Sequence, residues 1–110
     1  MINIKLFRNK HHEIMGFSFL GHSGYDELGK DIVCSALSSA AQLTIAGLLE
    51  VAKINVAYTL ADGHIICSIP KDLPEISRQQ ADTLLLSLEV YLNEFIKAHD
   101  MYVSIIELEV

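Results

Sequence analysis

The sequence predicts an α+β fold in which one β-sheet is covered by two α-helices. Short runs of alternating apolar residues lie near both ends and in the middle of the chain, and two longer runs have helical spacing. Together they give the order β-β-α-β-β-α-β, which is typical of a sheet with helices packed against it. The 110 residues suffice for one core, so we expect a single domain spanning residues 1–110.

The first two strands are predicted at residues 2–8 and 12–20. Apolar and polar residues alternate in the first run, and Met15, Phe17 and Phe19 share one face of the second. A short polar connection joins the runs, which indicates a hairpin. Residues 21–30 then break the alternation with three glycines, and we predict a mobile loop there.

A helix should follow this loop, with Asp31 as its N-cap and residues 50–53 as its end. The stretch 32–49 has no charged residue and is nearly long enough to cross a bilayer. Its serines, together with Gln42 and Thr44, make it weakly hydrophobic for a membrane segment. We therefore predict a buried core helix and no membrane partner.

The second half of the chain predicts another hairpin. Residues 54–60 and 65–69 alternate on either side of an Asp62-Gly63 turn, and Pro70 ends the second run. Cys67 alternates with two isoleucines and should point into the core. His64 adjoins the turn, where we expect it to be solvated.

A second helix and a closing strand complete the predicted order. Ser77 and Gln80 resemble a capping box, and apolar residues recur at helical spacing from there to Phe95. Residues 102–110 then alternate again, with apolar side chains on one face and glutamates on the other. The apolar members of that last run are Ile106, Leu108 and Val110.

Charge and cysteine usage exclude several classes of protein. The net charge is -6 and the eight Lys and Arg residues are scattered, which argues against a nucleic-acid surface. Two distant cysteines without a C-x-x-C pair make a secreted disulfide scaffold an unsuitable description. The N-terminal run lacks the apolar core of a signal peptide. We therefore expect a cytoplasmic protein.

Cys34 is the residue best placed for nucleophilic chemistry. If Asp31 is the N-cap, Cys34 lies in the first helical turn, where unpaired N–H groups and the macrodipole stabilise a thiolate. The dipole contributes only about 0.3 to 1 kcal/mol, so a second activator is needed. His22, at the end of the second predicted strand, can take the thiol proton and return it to a leaving amine.

Each of these residues also has a purely structural interpretation. Cys34 can be a small core residue, and His22 an ordinary loop residue. Asp31 can serve only as a cap, because its carboxylate would oppose thiolate formation if it lay close to the sulfur. Ser38, one turn beyond Cys34, can line a site or bond to the helix backbone. The four residues His22, Cys34, His64 and Cys67 do not have the paired spacing typical of zinc sites.

One segment resembles the signature of the bacterial ribosomal-processing cysteine proteases. Residues 21–38 read GHSGYDELGKDIVCSALS. They match the family's Gly-His at a strand end and its Gly-x-Asp-Ile-Val-Cys helix start. The resemblance extends loosely over the whole chain, since family members are near this length and share its element order. Ser23 departs from the alanine that commonly follows the histidine in this family.

This resemblance implies a function and two catalytic residues. Cys34 would be the nucleophile, His22 the general acid and base, and residues 23–30 a flexible element shaping the substrate cleft. The family further implies a homodimer, no metal or cofactor, and a substrate. That substrate is the N-terminal extension of ribosomal protein L-twenty-seven, removed in support of ribosome assembly. The alternatives are a non-catalytic ribosome-associated binding module with a structural Cys34, and another thiol enzyme for acyl transfer or redox chemistry.

Overall fold

Five strands form one mixed β-sheet in the computed structural model, which describes residues 1–21 and 28–110, with side chains from residue 32 onward in the second part. The strands are β1 (Ile2–Arg8), β2 (Ile14–Leu20), β3 (Ala57–Ala61), β4 (His64–Ser68) and β5 (Val103–Glu109). The helices are α1 (Leu28–Ala46), which continues into a π-helical turn (Gly47–Val51), and α2 (Glu75–His99). This is the predicted α+β fold in the predicted order.

The strands lie side by side in the order β3-β4-β2-β1-β5. All neighbours are antiparallel except β1 and β5, which run parallel. Both helices pack on the same face of the sheet, α1 chiefly over β4 and α2 over β2 and β5. One core fills the space between them, and the opposite face of the sheet is left without a covering element among the described residues.

The strand patterns place the core residues as the sequence predicts. Phe17 and Phe19 are buried on the helix-covered face, and their rings meet edge to face with centroids 5.5 Å apart. Cys67 pairs with Phe17 and is buried beside it. The last strand behaves differently, since Ile106 and Leu108 lie on the uncovered face and are substantially exposed. Their alternation was predicted, and it points toward solvent.

The two predicted helix starts are wrong. α1 begins at Leu28, so Asp31 is a helical residue and not the N-cap. α2 begins at Glu75 with Pro74 at its N-cap, and the Pro74 carbonyl accepts a 2.9 Å hydrogen bond from the Arg78 backbone N–H. A capping side chain contributes only about 1 kcal/mol, which is too little to prevent a helix from extending by one turn.

The end of α1 is a π-helical turn. The Ala52 backbone N–H donates to the Gly47 carbonyl, five residues earlier, over 2.9 Å. Gly47 faces the Leu84 side chain of α2, and an added Cβ would lie 3.0 Å from it. The lack of a side chain at Gly47 therefore lets the two helices approach closely.

Helix α1 and its π-helical turn form an apolar segment that is only partly buried. Within the described residues, Ile32–Val51 is the one stretch long and apolar enough to cross a membrane, with a mean hydropathy of 1.7. Its inner face packs on the sheet through five buried residues, whereas Leu43 and Val51 on the outside are 74% and 80% exposed. The buried members are Val33, Leu37, Ala41, Ile45 and Leu48. The prediction of a core helix is confirmed for the inner face.

Candidate active site

Cys34 lies in the second turn of α1, because the helix begins at Leu28. Its backbone N–H therefore falls within the i to i−4 hydrogen-bonding range of the helix, and it is not one of the unpaired N–H groups of the first turn. The macrodipole effect is also confined to the terminal turn. Helix-end stabilisation of a thiolate, on which the sequence argument depended, is consequently weaker than predicted.

The Cys34 side chain is partly buried against the core and borders two adjoining spaces. One is a small cavity of about 20 Å³ beneath it, with Phe19 and Leu37 in its walls. The other is an open groove of about 310 Å³ that extends along α1 toward Gln42. Cys34 and Ser38 line both spaces. The thiol is thus supported on one side by the core and reachable on the other from the groove.

Ser38 is one helical turn beyond Cys34 and lies on the same face of α1, as the sequence predicts. Its presence in the walls of both spaces favours the interpretation in which it lines the site. A hydroxyl in that position can donate to a substrate carbonyl or accept from a substrate N–H. The residue therefore adds a polar group to an otherwise largely apolar surface around the thiol.

The turn between β3 and β4 forms the opposite wall of the site. Gly63 has φ of 71° and lines both spaces beside Cys34. Its carbonyl accepts a 2.9 Å hydrogen bond from the Gly21 N–H at the end of β2. Gly21 has φ of 106°, and a Cβ there would lie 2.6 Å from the Met1 carbonyl oxygen. Only glycine fits this position without strain.

The chain therefore leaves β2 at the cavity that Cys34 borders, since Gly21 is one of the cavity's lining residues. His22 is the next residue in sequence and lies outside the described residues, as does the predicted loop up to residue 27. Residues 28–30 of that predicted loop belong to α1. The structure brings Cys34 and Ser38 together with the residue that precedes His22.

His64 and Cys67 take different positions on β4. His64 is partly buried and contributes to the wall of the small cavity, so the prediction that it is solvated is wrong. Cys67 is buried in the core as predicted, and burial raises the pKa of its thiol to about 12. Within residues 1–21 and 28–110, no three histidine, cysteine or acidic side chains are grouped as metal ligands.

The β3 wall of the groove is a feature that the sequence analysis missed. Leu60, Ala61 and Asp62 face Cys34 across the groove. The relevant signal was the Asp62-Gly63 turn, which places the end of β3 next to whatever the turn contacts. Locating that contact required knowing that α1 lies over β4, which local sequence patterns do not specify.

Comparison with known proteins places this site in context. The family model described as Cysteine protease Prp matches residues 1–104. No curated protein matches the chain. A structure of SMU.848 from Streptococcus mutans is similar with a TM-score of 0.84 and 20% identity, over 100% of this chain and 96% of that one.

Two structures of the ribosomal processing protease Prp from S. aureus are also similar. One holds a substrate peptide and has a TM-score of 0.84 at 16% identity, and the other holds a covalently linked product peptide and has a TM-score of 0.82 at 17% identity. Each similarity covers 98% of this chain and 100% of the other. At these identities the structures support the fold alone. The family match over nearly the whole chain shows that this protein belongs to the Prp cysteine proteases, a family of ribosomal processing.

Proposed function

We propose that the protein is an endopeptidase that removes the N-terminal extension of ribosomal protein L-twenty-seven in support of ribosome assembly. Cys34 is the nucleophile and His22 is the general acid and base. The observation that carries the proposal is the position of the Cys34 thiol, at the head of an open groove and beside the point where the chain leaves β2 toward His22. Family membership supports a thiol protease over a non-catalytic module.

The reaction has two steps. His22 takes the Cys34 proton, the thiolate adds to the peptide carbonyl carbon, and the C–N bond breaks as His22 protonates the leaving amine. Water, deprotonated by His22, then hydrolyses the thioester and releases the acid. Because Cys34 lies beyond the first turn of α1, ionisation of its thiol depends mainly on His22 and little on the helix end.

The substrate class is supported by the S. aureus protein, which was solved with a substrate peptide and with a covalently linked product peptide. The groove in this chain is open along one side and has a volume of about 310 Å³, close to the lower limit for a ligand pocket. A groove of this size accommodates a short extended segment better than a folded surface. A flexible N-terminal extension meets that requirement.

Peptides spanning the extension junction provide the test. Wild type should cleave them, Cys34→Ala should give no product, and His22→Ala should be slower by about 10²- to 10⁴-fold, the usual contribution of a general acid or base. Cys67→Ala is the matched control and should retain wild-type activity, because Cys67 lies in the core. Cleavage by Cys34→Ala would refute the nucleophile assignment. Full activity of His22→Ala would refute the dyad alone.

We also propose that the protein is a homodimer, formed through an apolar groove between α1 and α2. This second groove has a volume of about 700 Å³, and no charged residue lines it. A two-fold interface brings the same patch of both copies together, and an uncharged patch can meet itself without like-charge repulsion. Its lining residues are Ala36, Ser39, Ala40, Leu43, Thr44, Gly47, Val51, Leu84, Ser87, Leu88 and Tyr91.

Sedimentation equilibrium tests this interface. Leu43→Glu should convert a dimer to a monomer, whereas Leu108→Glu on the uncovered face of the sheet should leave the dimer intact. A monomeric wild type, or a dimer that survives Leu43→Glu, would refute the interface. We further propose a cytoplasmic location, which fits the two free cysteines Cys34 and Cys67 and can be checked by cell fractionation.

A further inference from the structure

The groove that begins at Cys34, named here the α1–β3 groove, has a helix on one side and a strand on the other. Cys34, Ser38 and Gln42 form the helical side at intervals of four residues, and residues 60–63 form the other side. Eight residues of α-helix advance about 12 Å. An extended peptide advances about 3.3 Å per residue, so the helical side is long enough for three to four substrate residues.

The strand beside this groove is at the edge of the sheet. β3 pairs with β4 alone in the described sheet, and all five of its residues are exposed. An edge strand presents unpaired N–H and C=O groups that can pair with another extended chain. Peptide binding by strand addition uses such an edge for main-chain hydrogen bonds, and pockets for alternate side chains give specificity.

Two apolar side chains extend from β3 toward the helix side. Leu60 and Tyr58 pair with Ile65 and Cys67, which are buried, so all four lie on the helix-covered face of the sheet. Leu60 and Tyr58 are nevertheless 48% and 49% exposed, because α1 packs chiefly over β4 and leaves β3 uncovered. They form an apolar ledge next to the thiol, with Leu60 lining the α1–β3 groove itself.

We propose that an extended stretch of the substrate adds along the edge of β3 in the α1–β3 groove, and that Leu60, continued by Tyr58, selects an apolar substrate side chain beside the scissile bond. This inference rests on the proposed peptidase function and deepens it. The strand supplies main-chain hydrogen bonds for every sequence, and the ledge supplies the discrimination. Alternate substrate side chains therefore point toward the ledge and away from it.

The first test compares two positions on β3. Leu60→Asn removes the ledge, and Thr59→Asn is the matched control, because Thr59 pairs with Ile66 and points to the opposite face of the same strand. Each is measured with the parental peptide and with a peptide whose apolar residue beside the scissile bond is replaced by Asn. Both positions are exposed, and thermal melts confirm that the variants are folded.

Leu60→Asn should lower kcat/KM for the parental peptide about tenfold, chiefly through KM, as is typical for loss of an apolar pocket contact. Its preference for the parental peptide over the Asn peptide should narrow by the same factor. Thr59→Asn should stay within about twofold of wild type, since it does not touch the α1–β3 groove. Equal effects of the two variants, or an unchanged preference in Leu60→Asn, would overturn the proposal.

Binding to the Cys34→Ala variant separates this inference from the catalytic one, because binding does not require the thiol. Parental peptides carrying one N-methyl group at successive backbone positions are titrated by fluorescence anisotropy. Strand addition predicts that affinity falls at every second position. A uniform response would refute pairing with β3. Normal binding with an alternating pattern but no cleavage by wild type would instead refute the peptidase function and leave the binding mode standing.

Discussion

Alkylation of the native protein should modify Cys34 and leave Cys67 almost untouched. Burial raises the pKa of the Cys67 thiol from 9.0 to about 12, and the thiolate is the form that reacts. At pH 8 a thiol with a pKa of 9.0 is about one-tenth ionised, whereas Cys67 is ionised in about one molecule in 10,000. Ionisation alone therefore slows Cys67 about a thousandfold relative to an ordinary thiol.

Access to the reagent acts in the same direction. Cys67 is 1% exposed within the core, and Cys34 borders the open α1–β3 groove. Both thiols are present in one molecule, so each is an internal reference for the other. Iodoacetamide at pH 8, quenched at successive times and followed by mass spectrometry of proteolytic peptides, gives the two rates separately. In guanidinium chloride the two rates should become equal.

Two results would refute this reasoning. Modification of Cys67 within tenfold of Cys34 in the native protein would show that β4 does not hold Cys67 in the core. A native Cys34 as inert as Cys67 would show that the groove does not give access to the thiol, and the candidate active site would then be wrong.

Three further predictions concern stability. Gly21→Ala should lower the free energy of unfolding by about 1 to 3 kcal/mol in a urea titration, because φ of 106° and the Met1 carbonyl at 2.6 Å leave no room for a Cβ; a change below 0.5 kcal/mol would contradict it. Arg8 pairs with Glu89 and Glu107, so Arg8→Met should cost about 1 to 3 kcal/mol, whereas the control Lys97→Met, which breaks an exposed pair with Glu94, should cost under about 0.5 kcal/mol. Equal losses would show that Arg8 is no better placed than a surface lysine. Cys67 holds its proton more tightly when folded, so its contribution to stability is complete below pH 9 and is lost as the pH rises toward 12; Cys67→Ala should show a shallower alkaline decline, and identical slopes would refute this.

Local patterns in the sequence predicted the elements well and their ends poorly. The alternation of Phe17 and Phe19 identified a strand and its buried face, because a sheet with one covered face imposes a period of two. Asp31 and Ser77 were both assigned as caps and are both inside helices. Capping preferences are small compared with the packing that an extra helical turn gains.

The candidate site was predictable only in part, for a related reason. Cys34 and Ser38 lie four residues apart on one helix, and helical geometry brings them together without further information. Leu60 and Gly63 reach the same site from the other end of a long separation in sequence. Their position depends on β4 pairing with β2 and on α1 crossing above, and neither contact leaves a mark in the local pattern.

The parallel pairing of β1 with β5 has a consequence for synthesis of the chain. β1 forms its hairpin with β2 from residues close in sequence, but its other side is completed by Val103–Glu109, about a hundred residues later. While the ribosome is still making the second half, one flank of β1 stays open to other nascent chains. Closing such a distant contact is also slow. Release of the last strand from the exit tunnel should therefore be the event that commits the molecule to its final form.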